Sequence, residues 1–235
     1  MATWTMHLAI AKEIEDRLNI KNKNQFYFGN VVPDLERWVV TNLDTFVDYN
    51  DSHYIKNNIN SKKTISIDLD KFYKLNQVEL KKQNSLILGY YCHLIVDDYL
   101  NNVISSDISI FDDKNNFIGV FLNNGKILKC DKEKRRKLKH REYELFNKYL
   151  VNNFKIQSPV YNKDLVNSVK NLKNIYLSEK DIKKIVMKCI ELTQINNFKD
   201  TNYDYEIYTE DILLKYYNNA IEYILKVLME KELIK

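Results

Sequence analysis

Residues 89–101 read GYYCHLIVDDYLN, and how this stretch is read decides the fold. It is the middle of the most apolar run of the chain, from 84 to 103, which holds a single glycine and no proline and predicts a buried helix. A histidine and two adjacent aspartates inside such a helix are expensive to bury without partners. They are either the polar anchors of a satisfied core or the wall of a site.

The spacing narrows the choice. His93 and Asp97 are four residues apart, so on a helix they share one face, with Cβ atoms about 5–6 Å apart. From that spacing an imidazole and a carboxylate can hold one metal ion. The same pattern also fits a hydrogen-bonded core pair. The cost of burial favours the metal, because one divalent cation satisfies all the groups at once. Gly89, one turn earlier on this face, clears space for a ligand on the metal or for a second helix. Asp98 points about 100° away and fits a supporting or capping role.

Outward from this helix the pattern stays helical. Leu8, Ala11, Ile14 and Leu18 recur at three- and four-residue steps, an amphipathic helix over 5–18. NKNQFYFGNVVPDLERW (22–38) breaks that periodicity, and its Gly29 and Pro33 predict a loop of defined shape. NFIGVFLNNGKILKC (116–130) carries two β-type runs around Asn124-Gly125, a hairpin signal. A charged helix follows from about 132 to 153. Ser178 and Thr209 each precede a periodic run, with Glu210 and Asp211 in the first turn of the second, where the helix dipole favours them.

Composition agrees. Four glycines and two prolines in 235 residues argue against a turn-rich β fold. The length suits one domain spanning 1–235. A formal net charge of +4 is no nucleic-acid signature. The three cysteines, Cys92, Cys130 and Cys189, form no CxxC pair, and an odd number fits a reduced compartment. The first residues lack the cationic start of a signal peptide. No stretch reaches the ~18 apolar residues of a membrane span. The expectation is a soluble, cytoplasmic protein.

Four segments taken in order carry a more specific message: WTMHLAIA (4–11), FYFGNVVPD (26–34), DSHY (51–54) and LGYYCHLIVDDYLN (88–101). Together they resemble the zinc-dependent phospholipase C family and its bacterial relatives. Those enzymes share an all-helical fold with single-strand-specific nucleases and cleave phosphodiesters with clustered zinc ions. KHREYELFNKYL (139–150) is a weaker echo of a charged-aromatic segment of the family. The resemblance implies that His53, His93 and Asp97 hold one metal, and that Asp97 bridges to a second metal also held by His7. Asp34 would be a further ligand or the catalytic base that orients the attacking water. Zinc suits this set, as would Mn2+ or Fe2+. The chain departs from the family in two places. Trp4 follows three residues and is expected to have no free amine to give a metal. Downstream of Asp97 only His140, with Glu142 and Glu144 beside it, is left to build a third site, so one or two ions are expected.

Other chemistries fail on their motifs. There is no adjacent His-Asp pair, GVFLNNGKI lacks the spacing and the Ser or Thr of a phosphate-binding loop, and no GxSxG elbow occurs. The basic run over 132–141 reads as a solvated face or as a weak contact for an anionic surface. The expectation is therefore an all-α multi-helix bundle around a metal centre, with a small β-hairpin near 117–130. It would act as a metal-dependent hydrolase of a phosphoester. The alternative is a non-catalytic helical interaction module that has kept the fold without a full metal cluster.

Overall fold

The computed structural model of the protein describes residues 2–35, 43–45, 47–56, 66–173, 175–194 and 203–234. Its helices begin where short polar side chains can accept a hydrogen bond from the first turn. Thr3 caps α1 (Trp4–Arg17), Asn22 caps α2 (Lys23–Gly29), Asp48 caps α3 (Tyr49–Ser52) and Asp68 caps α4 (Leu69–Lys81). Asn84 opens α5 (Ser85–Ile108), and Asp131 opens α6 (Lys132–Asn153). Asn162, Ser178 and Thr209 open α7 (Lys163–Val169), α8 (Glu179–Leu192) and α9 (Glu210–Glu230). Each such cap contributes about 1 kcal/mol.

The helix containing GYYCHLIVDDYLN is the axis of the molecule. Along α5, Tyr91, Leu94, Ile95 and Val96 are fully buried, each worth about 1.5–3 kcal/mol of hydrophobic stabilisation. α5 is covered by α2, α4, α9 and α1, while α1 also packs on α6, α8 and α9. Among the described residues no helix is long and apolar enough to cross a membrane.

Two expectations change. Residues 23–29, read as loop, are the helix α2. Asn22 accepts the Gln25 N–H, and Phe26, Tyr27 and Phe28 are all buried, so aromatic packing prevails where the spacing gave no helical stripe. Residues 36–38 of that segment lie outside the described residues. The apolar helix expected over 84–103 runs on to Ile108, and a further strand follows it. β1 (Ser109–Phe111), β2 (Phe117–Phe121) and β3 (Ile127–Lys129) form an antiparallel sheet in the order β1-β2-β3. Its β2–β3 hairpin turns at Gly125 with φ +79°, as Asn-Gly predicts. The chain is thus mostly helical with a small sheet, as its sequence implies.

α2 approaches α5 so closely that only glycine fits at the crossing. A Cβ on Gly89 would lie 2.2 Å from the Phe26 carbonyl oxygen, and one on Gly29 would lie 2.2 Å from that of Leu86. The space cleared by Gly89 therefore belongs to a second helix. The consequence is positional: the chain leaving α2 carries Asn30 and Asp34 directly onto the face of α5 that bears His93.

Candidate metal centre

Four side chains from three parts of the chain meet on that face. Asp34 ends a short 3₁₀ turn, Val32–Asp34, with Pro33 in its first positions. His53 caps the C-terminus of α3, and α5 supplies His93 and Asp97. His53, His93 and Asp97 are wholly buried, and Asp34 is 6% exposed. Tyr90 fixes α3 on α5 by donating its hydroxyl to the Ser52 carbonyl at 2.6 Å. Asp98, outside the cluster, accepts the Ile67 N–H at 3.1 Å and so ties the entry to α4 onto α5.

Backbone carbonyls set the state of both imidazoles. His93 Nδ1 lies 2.8 Å from the Asn30 carbonyl oxygen. His53 Nδ1 lies 3.2 Å from the Tyr49 carbonyl and 3.0 Å from Ser52 Oγ. A carbonyl only accepts, so each Nδ1 carries the proton and each Nε2 presents a lone pair inward. Tyr49 stacks on His53 with ring centroids 4.0 Å apart and holds that ring from the side.

The inward atoms crowd together. His53 Nε2 is 3.1 Å from His93 Nε2, 3.2 Å from Asp34 Oδ1 and 3.5 Å from Asp97 Oδ2. His93 Nε2 is 3.8 Å from Asp34 Oδ1 and 3.7 Å from Asp97 Oδ2. All four ligand atoms lie within 4.8 Å of one another. A tetrahedron around an ion at about 2.0–2.1 Å has edges of about 3.3–3.4 Å. The five separations bracket that edge, so the residues fit a zinc-sized ion.

Electrostatics makes the same demand. Two lone pairs and two carboxylates face one another in a buried space, and only a cation relieves them. Burial opposes charge on His53, but Asp34 and Asp97 outweigh it and raise its pKa to about 9. Burial and the neighbouring His7 push His93 down to about 3. Burial alone would raise both carboxylates, yet the histidines hold Asp34 low and Asp97 well below the usual carboxylate range. The protein thus draws a single proton to His53, in the position a metal ion takes.

His7 stands on the far side. It is fully buried on α1, stacked on His93 with centroids 3.8 Å apart, and its Nε2 is 3.5 Å from Asp97 Oδ1. Among the described residues neither ring nitrogen of His7 makes a hydrogen bond. Asp97 therefore faces His53 and His93 with Oδ2 and faces His7 with Oδ1, which also accepts the Ala2 N–H at 2.9 Å. A carboxylate presented to two sides in this way has the form of a bridge.

The residues considered downstream do not join. His140 is exposed. Glu142 accepts the backbone N–H groups of Glu206, Ile207 and Tyr208, and Glu144 accepts the Tyr203 hydroxyl. Sequence reasoning missed the Asn30 and Tyr49 carbonyls that orient the imidazoles. Asn30 stands inside the FYFGNVVPD segment, which is the one signal that could have pointed to it.

No curated protein and no solved structure matches the chain. A family model does: that of zinc dependent phospholipase C matches residues 6–100, about two fifths of the chain and the stretch that contains His7, Asp34, His53, His93 and Asp97. That match supports the resemblance carried by the four ordered motifs: over residues 6–100 the chain is similar to the zinc-dependent phospholipase C family.

Proposed function

We propose that this protein is a metal-dependent hydrolase that cleaves a phosphoester or phosphodiester with a water molecule activated at the centre. The observation that carries the reading is the convergence of two Nδ1-protonated imidazoles and two carboxylates at the edge lengths of a zinc tetrahedron.

His53, His93 and Asp97 would hold a first ion, and Asp34 would stand at the fourth corner, beside the position water takes. His7 and Asp97 would hold another where two are bound. An ion there would supply Lewis acidity, lowering the pKa of water and polarising a phosphoryl oxygen. The chain's own residues do the rest. The Asn30 and Tyr49 carbonyls keep both Nε2 atoms aimed inward, so no reorientation precedes the reaction. Asp34 is the only one of the four with any contact with solvent, so it meets the incoming water. Its carboxyl is held ionised by the neighbouring histidines, ready to orient that water and accept a hydrogen bond from it.

The test is hydrolysis of bis(p-nitrophenyl) phosphate by the zinc-loaded chain. His53→Ala and His93→Ala are expected to lower kcat/KM by at least ~100-fold, the scale of losing one preorganised group in a site. A parent protein that binds zinc but hydrolyses no phosphoester in a broad screen would contradict the reading. It would then be a helical module that keeps the centre for another purpose.

A further inference from the structure

The face of α5 that carries His93 and Asp97 continues past the centre as Asn101, Ile104 and Ile108, and there it borders an open cleft closed on the other side by α6. At 1.5 Å per residue, Asn101 lies about 6 Å and Ile104 about 10 Å along the helix from Asp97. Arg135, Lys139 and Tyr143 face the cleft from α6 at four-residue steps. Two cations therefore line a cleft on the same face of α5 as the centre, a turn or two further along the helix.

These cations differ from two of their neighbours on α6. Lys137 pairs with Glu133, and Arg141 pairs with Glu206. Arg135 has no carboxylate partner among the described residues. It donates to Ser109 Oγ at 2.8 Å and lies 5.1 Å from the Phe117 ring. Lys139 likewise has none, its ammonium standing 5.4 Å from the Tyr143 ring centroid. Burial, and after it Arg135, lower the Lys139 pKa against the opposing pull of Asp97. The Tyr143 hydroxyl is buried and makes no hydrogen bond of good geometry. An ammonium, a guanidinium fork and a phenol around a narrow cleft suit one compact, strongly charged oxyanion.

We infer that the α5–α6 cleft is a second anion subsite, in which Arg135, Lys139 and Tyr143 receive a phosphate monoester carried by the substrate beyond the bond that is cleaved. The inference rests on the phosphoester reading of the centre and sharpens it. The preferred substrate is a phosphodiester whose alcohol bears a further phosphate, rather than one with a cationic or neutral headgroup. Arg135 and Lys139 are specificity residues and take no part in the bond-breaking step.

The first test is independent of catalysis. Inorganic phosphate is titrated calorimetrically into the full chain kept free of divalent ions, in the parent, Lys139→Met and Arg135→Gln, with folding checked by circular dichroism. Lys139→Met keeps the aliphatic stem and removes only the charge. Binding to the parent that weakens at least ~tenfold in both variants supports the subsite. No binding, or equal binding in all three, overturns it.

The second test uses the zinc-loaded protein with glycerophosphoinositol 4-phosphate and with bis(p-nitrophenyl) phosphate, which has no second anionic group. In Lys139→Met the ratio of the two kcat/KM values is expected to shift at least ~tenfold against the first substrate; an unchanged ratio overturns the inference. Phosphatidylinositol 4-phosphate in phosphatidylcholine vesicles tells the source: a matching differential loss there assigns a lipid headgroup, and a loss confined to the soluble diester assigns a free one. Lys139-dependent phosphate binding by a parent that hydrolyses none of these probes would leave the subsite standing and contradict the hydrolase reading alone.

Discussion

His53 and His93 have opposite pKa shifts although their Nε2 atoms are 3.1 Å apart. The two carboxylates need one positive charge near them, and His53 supplies it as a proton. Its folded pKa of about 9 exceeds the ordinary value of 6.5. In chelator, the stability it contributes is therefore complete below pH 6.5 and is lost as the pH rises through 9. Zinc must displace this proton, so binding is expected to release about one proton per ion at pH 7.5, with affinity still rising up to pH 9. Calorimetry in buffers of different ionisation enthalpy measures the proton directly. Release of none, with affinity flat above pH 6.5, would show that His53 is already neutral and that its tie to Asp34 and Asp97 is misjudged.

At this scale the sequence was partly legible. His93 and Asp97 announced themselves by their spacing and by the cost of burying them. His7, Asp34 and His53 were ambiguous one by one and became candidates only through the order of four motifs. The carbonyls that fix the ring states were invisible, because a backbone oxygen has no letter of its own.

Among the elements, the crossing of α2 over α5 controls where Asn30 and Asp34 arrive. Gly89→Ala forces a Cβ to within 2.2 Å of a backbone oxygen, and neither helix can yield without moving the other. A cost of about 2–3 kcal/mol is expected, a fall in Tm of roughly 5–10 °C for a chain of this size, together with weakened zinc binding. Thr209→Ala is the control: it removes the side-chain cap of α9, costs about 1 kcal/mol and leaves zinc content unchanged. Equal zinc affinity in Gly89→Ala and the parent would mean that the crossing does not position the centre. The periodic helices α1, α5, α6, α8 and α9 and the Asn-Gly hairpin were all readable from pattern. α2 was not, because three consecutive aromatics buried on a seven-residue helix leave no stripe to detect. Its reason for being helical is a contact with residues some sixty positions away.

For the whole molecule, α5 serves as hydrophobic axis and as metal scaffold at once, so the answer to its two aspartates and histidine is shared between folding and function. Two cations of α6, Arg135 and Lys139, stand beside the same axis without a carboxylate partner among the described residues, the place proposed above for an anionic group of the substrate. Such a fold is expected to gain stability from the ion, so chelation should lower Tm and zinc should restore it.

The most direct measurement of the central claim is metal per chain, by plasma mass spectrometry on protein purified without a chelator or a metal-affinity tag, in the parent and in Asp97→Asn. The account predicts at least about one equivalent of zinc or a similar divalent ion in the parent and a sharp drop in the variant, with both proteins folded. A folded parent that carries no metal, and takes up none on reconstitution, would contradict it.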